Sequence, residues 1–449
     1  MKKGNFLNFA FFILHSALGM TMTIKDMLGR SGVVSREDAL KVLNEHLVIS
    51  VPATEEAEIS RALGRVTATE IISPIDLPEF DRSTVDGYAA GSSDTFGAAE
   101  SRPAFLRLVG DIPMGTMPER GIAKGEIMKI ATGGALPRGA DAVVMFENTQ
   151  PVDAGSIEAV KPVAPLENVI QTGDDIKKDE VILPAGHVIR PQDMAALAGV
   201  GITRVKVFEK PRVAIISTGN EIIPADTVPA PGQIRDSNSY NLEGLIAQAG
   251  GMAVKIGIIP DDYNRLRQSL EDALKDCRLI LMTGGSSVGT ADLTAKVIDD
   301  LGPPGVLVHG VSIKPGKPLI VGIIGTGRLA AQIPVFGLPG HPAAVSICFE
   351  LFVKPVLTRL TGVVLDPALE GISPCRMVKA RLARSVSSAP GREDHVRVIL
   401  EKRDDGLWAR PVFGPSGLIS TLVKAVGTVV VPVNKIGIEA GEEVDVRLF

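Results

Sequence analysis

Aromatic side chains are scarce: Phe, Trp and Tyr make up 4% of the 449 residues, with one Trp and three Tyr. That excludes the exposed ring platforms that hold single-stranded nucleic acid. A basic excess is missing too. The 47 Lys and Arg against 52 Asp and Glu leave a formal charge of −5, with no electrostatic footprint for a polyanion. The three cysteines, Cys277, Cys348 and Cys375, show no Cys-x-x-Cys spacing. This excludes a zinc site or a disulfide framework and fits a reducing cytoplasm. Six scattered His supply no Ser-His-Asp or Cys-His pair, so nucleophilic catalysis has no support. The apolar stretch Phe6–Leu14, behind Met1-Lys2-Lys3, resembles the first two regions of a signal peptide but is too short for a membrane span. Residues 1–21 are therefore expected to be an unstructured or mis-started extension, with Met20, Met22 or Met27 as the start.

What is present is globular composition, 45% hydrophobic and 22% charged, in a chain too long for one core. Ser35-Arg-Glu-Asp38 opens a helix, and a second short helix is expected near Glu55–Leu63. Between Ser73 and Pro184, prolines alternate with short apolar runs such as Ala142–Phe146, as in a small β domain. Pro191–Val200 reads as a helix with Pro in its first turn. From Pro211 the pattern alternates. Strands are expected at Val213–Ile216, Val254–Ile259 and Leu279–Met282, and helices at Asn238–Ala249, Asp261–Cys277 and Ala291–Leu301. A closing helix, Pro342–Leu360, is expected to kink at Pro355. The texture after Gly362 is β again, with His395–Leu400, Thr428–Val431 and Val444–Leu448 in a compact barrel or sandwich.

The fold class expected is thus multi-domain α/β plus β. A central open, mostly parallel α/β sheet spans 209–366, and a small β domain (73–170) is inserted in a helical and extended domain (22–72 and 171–208). A C-terminal β-barrel covers 367–449.

In open α/β sheets, ligands bind beyond the carboxyl ends of the strands. Three Gly-containing loops fall there: Ser217-Thr218-Gly-Asn-Glu221, Thr283 through Asp292, and Gly337-Leu-Pro339-Gly340-His341-Pro342. Gly284, Gly285 and Gly289 would let main-chain amides approach an anion, and Ser286 and Ser287 add hydroxyl donors. Singly each loop is an ordinary turn; three on one edge point to an anion site. Glu221, Asp261 and Asp292 each follow a strand, and carboxylates beside anion-binding amides are useful when a hard cation such as Mg²⁺ bridges them to the ligand. Asp261 also suits a helix cap. Lys314 and Lys317, on the proline-stiffened turn Ile313–Pro318, suit phosphate or oxyanion contact. Far upstream, Phe80–Ala89, Lys129–Gly134 and Thr172–Ile176 are polar turns with the makings of a ligand rim.

Seven motifs stand in one order: Asp81-Arg-Ser-Thr-Val-Asp86-Gly-Tyr-Ala, Ala131-Thr132-Gly-Gly, Gly173-Asp-Asp175-Ile, and Ser217-Thr-Gly-Asn-Glu221, followed by the run from Thr283 to Asp292, Lys314-Pro-Gly-Lys317-Pro, and Gly337-Leu-Pro-Gly-His-Pro342. Together they resemble the molybdopterin molybdotransferase (MoeA) family, related to the C-terminal part of gephyrin, over about Met22 to Phe449. The resemblance implies insertion of molybdenum from molybdate into adenylylated molybdopterin, with release of AMP and help from Mg²⁺ or a similar cation. It implies a homodimer with an active site shared between subunits, and exchange with a molybdopterin adenylyltransferase and with apo-molybdoenzymes. Asp86, Thr132 and Asp175 would approach from the partner side. Glu221, Asp261, Asp292, Lys314, Pro339 and Pro342 would line the α/β side, with Arg392 and Ser416 from the C-terminal domain. Two positions depart from the family pattern: His341 stands where many members have Asn, and Gly310 where some have a basic residue. The alternatives are an adenylyltransferase-like activity and a pterin-binding scaffold.

Overall fold

The computed structural model describes residues 32–284, 288–326, 331–364 and 377–449. The expectations for residues 1–21, and for the start of the C-terminal domain at 367, fall outside them. The chain forms two compact units, 54–207 and the remainder.

In the larger unit, six strands form a mixed sheet. They are β1 (Arg212–Thr218), β2 (Met252–Ile259), β3 (Leu279–Thr283), β4 (Pro304–His309), β5 (Ile320–Thr326) and β6 (Ala331–Leu338), in the order β2-β1-β3-β6-β5-β4. β2, β1, β3 and β6 run parallel, while β5 and β4 pair antiparallel at the edge. β1 from Val213 onward and all of β3 are buried, which is why they read as unbroken apolar runs instead of alternating ones.

Helices cover both faces. On one, α1 (Arg36–His46), α2 (Asn238–Gln248) and the segment after β6 pack Leu43, Leu242, Phe349 and Phe352 on the sheet. On the other, α3 (Tyr263–Asp276) and α4 (Val288–Leu301) bury Leu266, Leu270 and Ile298. Ser35 caps α1, its hydroxyl accepting from the Asp38 amide at 3.0 Å. Asp262, and not Asp261, caps α3, accepting from the Arg265 amide at 2.9 Å.

Three expectations are corrected. Residues 32–53 belong to the α/β unit, because the apolar stripe Ala39, Leu43 and Leu47 is buried in its core. The expected helix at Glu55–Leu63 is a strand, Thr54–Glu58, followed by one 3₁₀ turn, Ile59–Arg61. Pairing with Arg204–Phe208 outweighed the helix propensity of three glutamates. The closing helix accommodates Pro355 through a π segment at Phe349–Val353, between α5 (Pro342–Cys348) and α6 (Lys354–Leu360). Pro355 has no N–H to offer and its ring crowds the carbonyl four residues back, so the preceding turn widens.

The larger unit ends in a closed barrel of five strands, β7 (Met377–Leu382), β8 (Glu393–Arg403), β9 (Gly406–Pro411), β10 (Gly427–Val431) and β11 (Glu443–Leu448). Closure comes from the pairing of β8 with β10, around a core that includes Leu382, Val398 and Val446. The short strand Ile313–Lys314 adds parallel to the start of β8, tying the lysine turn to the barrel.

The smaller unit contains a six-stranded sheet, in which Gly87–Ala90 lies between Ala142–Met145 and Glu126–Ile130. Gly87 is needed there, since a Cβ would come within 2.1 Å of the Val144 carbonyl oxygen. The helix Pro191–Gly199 packs Leu197 into a separate cluster with Ile189 and Val207. Among the described residues, no helix is long and apolar enough to cross a membrane.

Candidate active site

The strand order reverses at β1, which has β2 on one side and β3 on the other. Such a switch point opens a crevice at the carboxyl edge of the sheet. Thr218, at the end of β1, is buried, and the loop leaving β3 crosses it at Gly284, which has φ +132°. Gly219, at φ +141°, begins the turn after β1. Ser217 donates to Asp236 at 2.7 Å, and Asp236 accepts from the Ser239 amide at 3.0 Å, fastening that turn to α2. A small cavity of about 10 Å³ lies under this edge, lined by Thr218, Gly284, Thr294, Pro318 and Leu338. Gly285, Ser286 and Ser287 lie outside the described residues, and Gly289 falls in α4.

Glu221 and Asp261 come together at this edge. The Asp261 amide donates to the Asn220 side chain at 3.2 Å, while the Asp261 Oδ1 is buried without a partner. Burial pushes the Asp261 carboxyl up from its usual value; an Asn220 main-chain hydrogen bond opposes this and the neighbouring Glu221 charge adds to it. Asp292 is exposed on α4, where its charge acts on His309. Among the described residues, no three His, Cys, Asp or Glu side chains converge as a ready-made metal site.

Beside the edge, a cleft of about 1100 Å³ opens between the α/β layer and the barrel, and Pro318 lines both it and the small cavity. Lys314, Lys317, Pro339, His341, Arg392 and Ser416 all line the cleft. Gly340 and Pro342 frame His341; Gly340 accepts from the Asn238 side chain at 2.8 Å, and Pro342 starts α5.

Two residues that sequence reasoning missed organise this cleft. Asp394, 4% exposed, lies 3.7 Å from Lys314 Nζ and 2.8 Å from Arg392 Nε, so one buried carboxylate holds two cations in place. Arg397, 8% exposed, donates from Nη2 to the Gly414 carbonyl at 2.8 Å, but its Nε and Nη1 have no partner. Burial lowers its pKa, so the charge is held at a cost unless an anion joins it. The signal was the dense run Arg392-Glu-Asp-His-Val-Arg397, too charged for an ordinary barrel strand.

The smaller unit gathers the other motifs. Thr132 donates to Asp86 Oδ1 twice, from its amide at 2.7 Å and its hydroxyl at 3.0 Å. The amide first and the hydroxyl second hold the Asp86 carboxyl below its usual value. Thr172 repeats the arrangement on Asp81, at 2.8 and 2.9 Å. Asp175 is exposed in the next turn, its amide donating to the Leu77 carbonyl at 3.0 Å.

A glycine-containing switch point beside a cleft lined by lysines and arginines marks an α/β protein whose site is suited to anionic ligands. Three family models match the chain: the MoeA N-terminal region (domain I and II) at residues 34–201, the "Probable molybdopterin binding domain" at 214–359, and the MoeA C-terminal region (domain IV) at 379–449. A molybdopterin biosynthesis protein of Methanocaldococcus jannaschii is 38% identical over 405 residues, 88% of this chain and 92% of that one. A molybdopterin molybdenumtransferase of a Nostoc species is 33% identical, covering 87% of this chain and 88% of that one. The crystal structure of the molybdopterin biosynthesis MoeA protein of Pyrococcus horikoshii is 39% identical with a TM-score of 0.75, covering 93% of this chain and 99% of that one. The chain belongs to the MoeA family, and it is a transferase of molybdenum cofactor biosynthesis.

Proposed function

We propose that this transferase moves molybdenum from molybdate to adenylylated molybdopterin, releasing AMP. The observation that carries this reading is the cleft, where Lys314, Lys317, Arg392 and the incompletely partnered Arg397 share one space with the Ser416 hydroxyl. Lysines act on an oxyanion as point charges and arginines as donor forks, so a tetrahedral oxyanion suits this set. Thr218 and Gly284 suit a phosphate of the nucleotide-linked pterin, at the adjoining sheet edge.

The buried, unpartnered Asp261 Oδ1 beside Glu221 fits a hard divalent cation such as Mg²⁺, with Asp292 as a further oxygen donor. When bound there, such an ion would supply neutralisation of the charge that develops on the departing phosphate. Asp86, Thr132 and Asp175 complete the reading as groups contributed by a second copy of the chain. The reading extends to a cytoplasmic location, supported by the free, buried Cys277 and Cys348.

Purified protein incubated with adenylylated molybdopterin, molybdate and Mg²⁺ should release AMP and yield cofactor that reconstitutes an apo-molybdoenzyme. Absence of both products sinks the assignment. Light scattering should give the mass of a dimer; a stable monomer removes the role given to Asp86 of a second copy.

A further inference from the structure

We infer that His341 is a positioning residue that aims the Ser416 hydroxyl at an oxyanion in the cleft, an inference resting on the molybdotransferase reading of that cleft. His341 Nδ1 lies 2.8 Å from Ser416 Oγ. The contact joins the loop after β6 to the barrel turn that begins at Gly414, and both residues line the cleft. The turn's main chain is fixed separately: the Ala343 amide donates to the Ser416 carbonyl at 3.2 Å. Gly417 lies against the same ring, where a Cβ would sit 3.5 Å away, in ordinary van der Waals contact. Neither of these contacts decides where the hydroxyl proton of Ser416 goes.

The imidazole decides it. A hydroxyl has one proton and two lone pairs. Where Nδ1 is bare, it accepts a hydrogen bond from the Ser416 hydroxyl, which then offers the cleft only lone pairs, and these repel an anion. Where Nδ1 carries a proton, it donates to Oγ and frees the Ser416 O–H to donate outward. An imidazolium donates from both nitrogens, so a charged ring enforces the second arrangement and adds a cation to the cleft. The charged and titratable groups around the cleft are Lys314 and Lys317 from the turn, and Arg392, Asp394, His395 and Arg397 from the barrel. Asn238, which reaches the same loop through Gly340, is neutral. The second imidazole among these groups, His395, has its ring 2.8 Å from the Glu393 carboxylate. His395 is present in every variant below, so its contribution cancels in the comparison.

The test is calorimetric binding of molybdate alone to the full chain between about pH 8 and about pH 6. The wild type, His341→Asn, His341→Leu and Ser416→Ala are compared, with circular dichroism verifying each fold. Asn offers a side-chain amide near the Nδ1 position but does not titrate. Wild-type affinity should rise about tenfold on acidification, and His341→Asn should keep measurable affinity with a clearly shallower profile than the wild type. His341→Leu and Ser416→Ala should both bind about tenfold more weakly than the wild type at the lower pH and also show the shallower profile. A slope in His341→Asn equal to that of the wild type overturns the inference while leaving the oxyanion cleft intact. If the wild type binds no molybdate at either pH, both the cleft reading and the inference fall.

Discussion

A Cβ added to Gly284 would stand 2.0 Å from the Thr218 carbonyl oxygen and 2.3 Å from its Oγ1. The loop leaving β3 therefore touches the end of β1 backbone to backbone, and only glycine permits it. The φ of +132° is also one that other residues rarely adopt. Gly284→Ala should lower stability by about 2–4 kcal/mol in urea unfolding, from strain and overlap together. It should also weaken binding of adenylylated molybdopterin. A variant that melts and binds like the wild type would show that the loop is not pinned at this point.

The buried, unpartnered Oδ1 of Asp261 is held at the expense of the fold. Burial, with the Glu221 charge adding to it, pushes its carboxyl up. A folded-state pKa above the unfolded one means that the contribution to stability is present below the ordinary carboxylate range. It is lost as pH rises through the folded value. At neutral pH without metal, Asp261→Asn should therefore melt higher than the wild type. Addition of Mg²⁺ should raise the melting temperature of the wild type and leave the variant unmoved, and AMP release by the variant should stop. A variant that still turns over at the wild-type rate would separate Asp261 from the chemistry.

The α/β layer was legible because its strands are buried on both faces and its helices are punctuated. Val213–Ile216 and Leu279–Met282 fall inside β1 and β3, and Asn238–Ala249 differs from α2 by one residue. Misreadings arose where tertiary pairing outweighed local preference, as at Thr54–Glu58, whose glutamates suit a helix until Arg204–Phe208 lies alongside. At the site, glycines and lysines announced themselves by type and spacing. Asp394 did not, because its significance lies in Lys314, 80 positions upstream, reaching it through the short parallel pairing with Ile313–Lys314. Arg397 read as one charge among several until the barrel closed over it.

That burial gives Arg397 a distinguishing test. Arg397→Met keeps most of the side chain's apolar volume and removes a buried charge whose Nε and Nη1 lack partners. Replacing an uncompensated buried ion by a hydrophobe of similar size is neutral or stabilising, so unfolding free energy should stay within about 1 kcal/mol of the wild type or exceed it. Molybdate affinity should nevertheless fall by about tenfold or more, as expected for the loss of a hydrogen bond to a charged group. The opposite pattern, collapse of the barrel with affinity retained, would make Arg397 a structural support of the Gly414 turn.

Asp86 separates geometry from charge in the same way. Both donors of Thr132 converge on its Oδ1, the amide at 2.7 Å and the hydroxyl at 3.0 Å. These bonds hold the carboxyl below its usual value. Their contribution is thus present above the ordinary carboxylate range and is lost as pH falls through the depressed folded value. Asp86→Asn retains an acceptor at Oδ1, so hydrogen exchange at the Thr132 amide should stay protected at neutral pH. Asp86→Ala leaves that amide without its partner, and its exchange should quicken. If the carboxylate works as a charge in the transfer, both variants should lose AMP release despite their different loops. Activity that survives in Asp86→Asn and disappears in Asp86→Ala would instead assign Asp86 to holding Thr132, with no part for its charge.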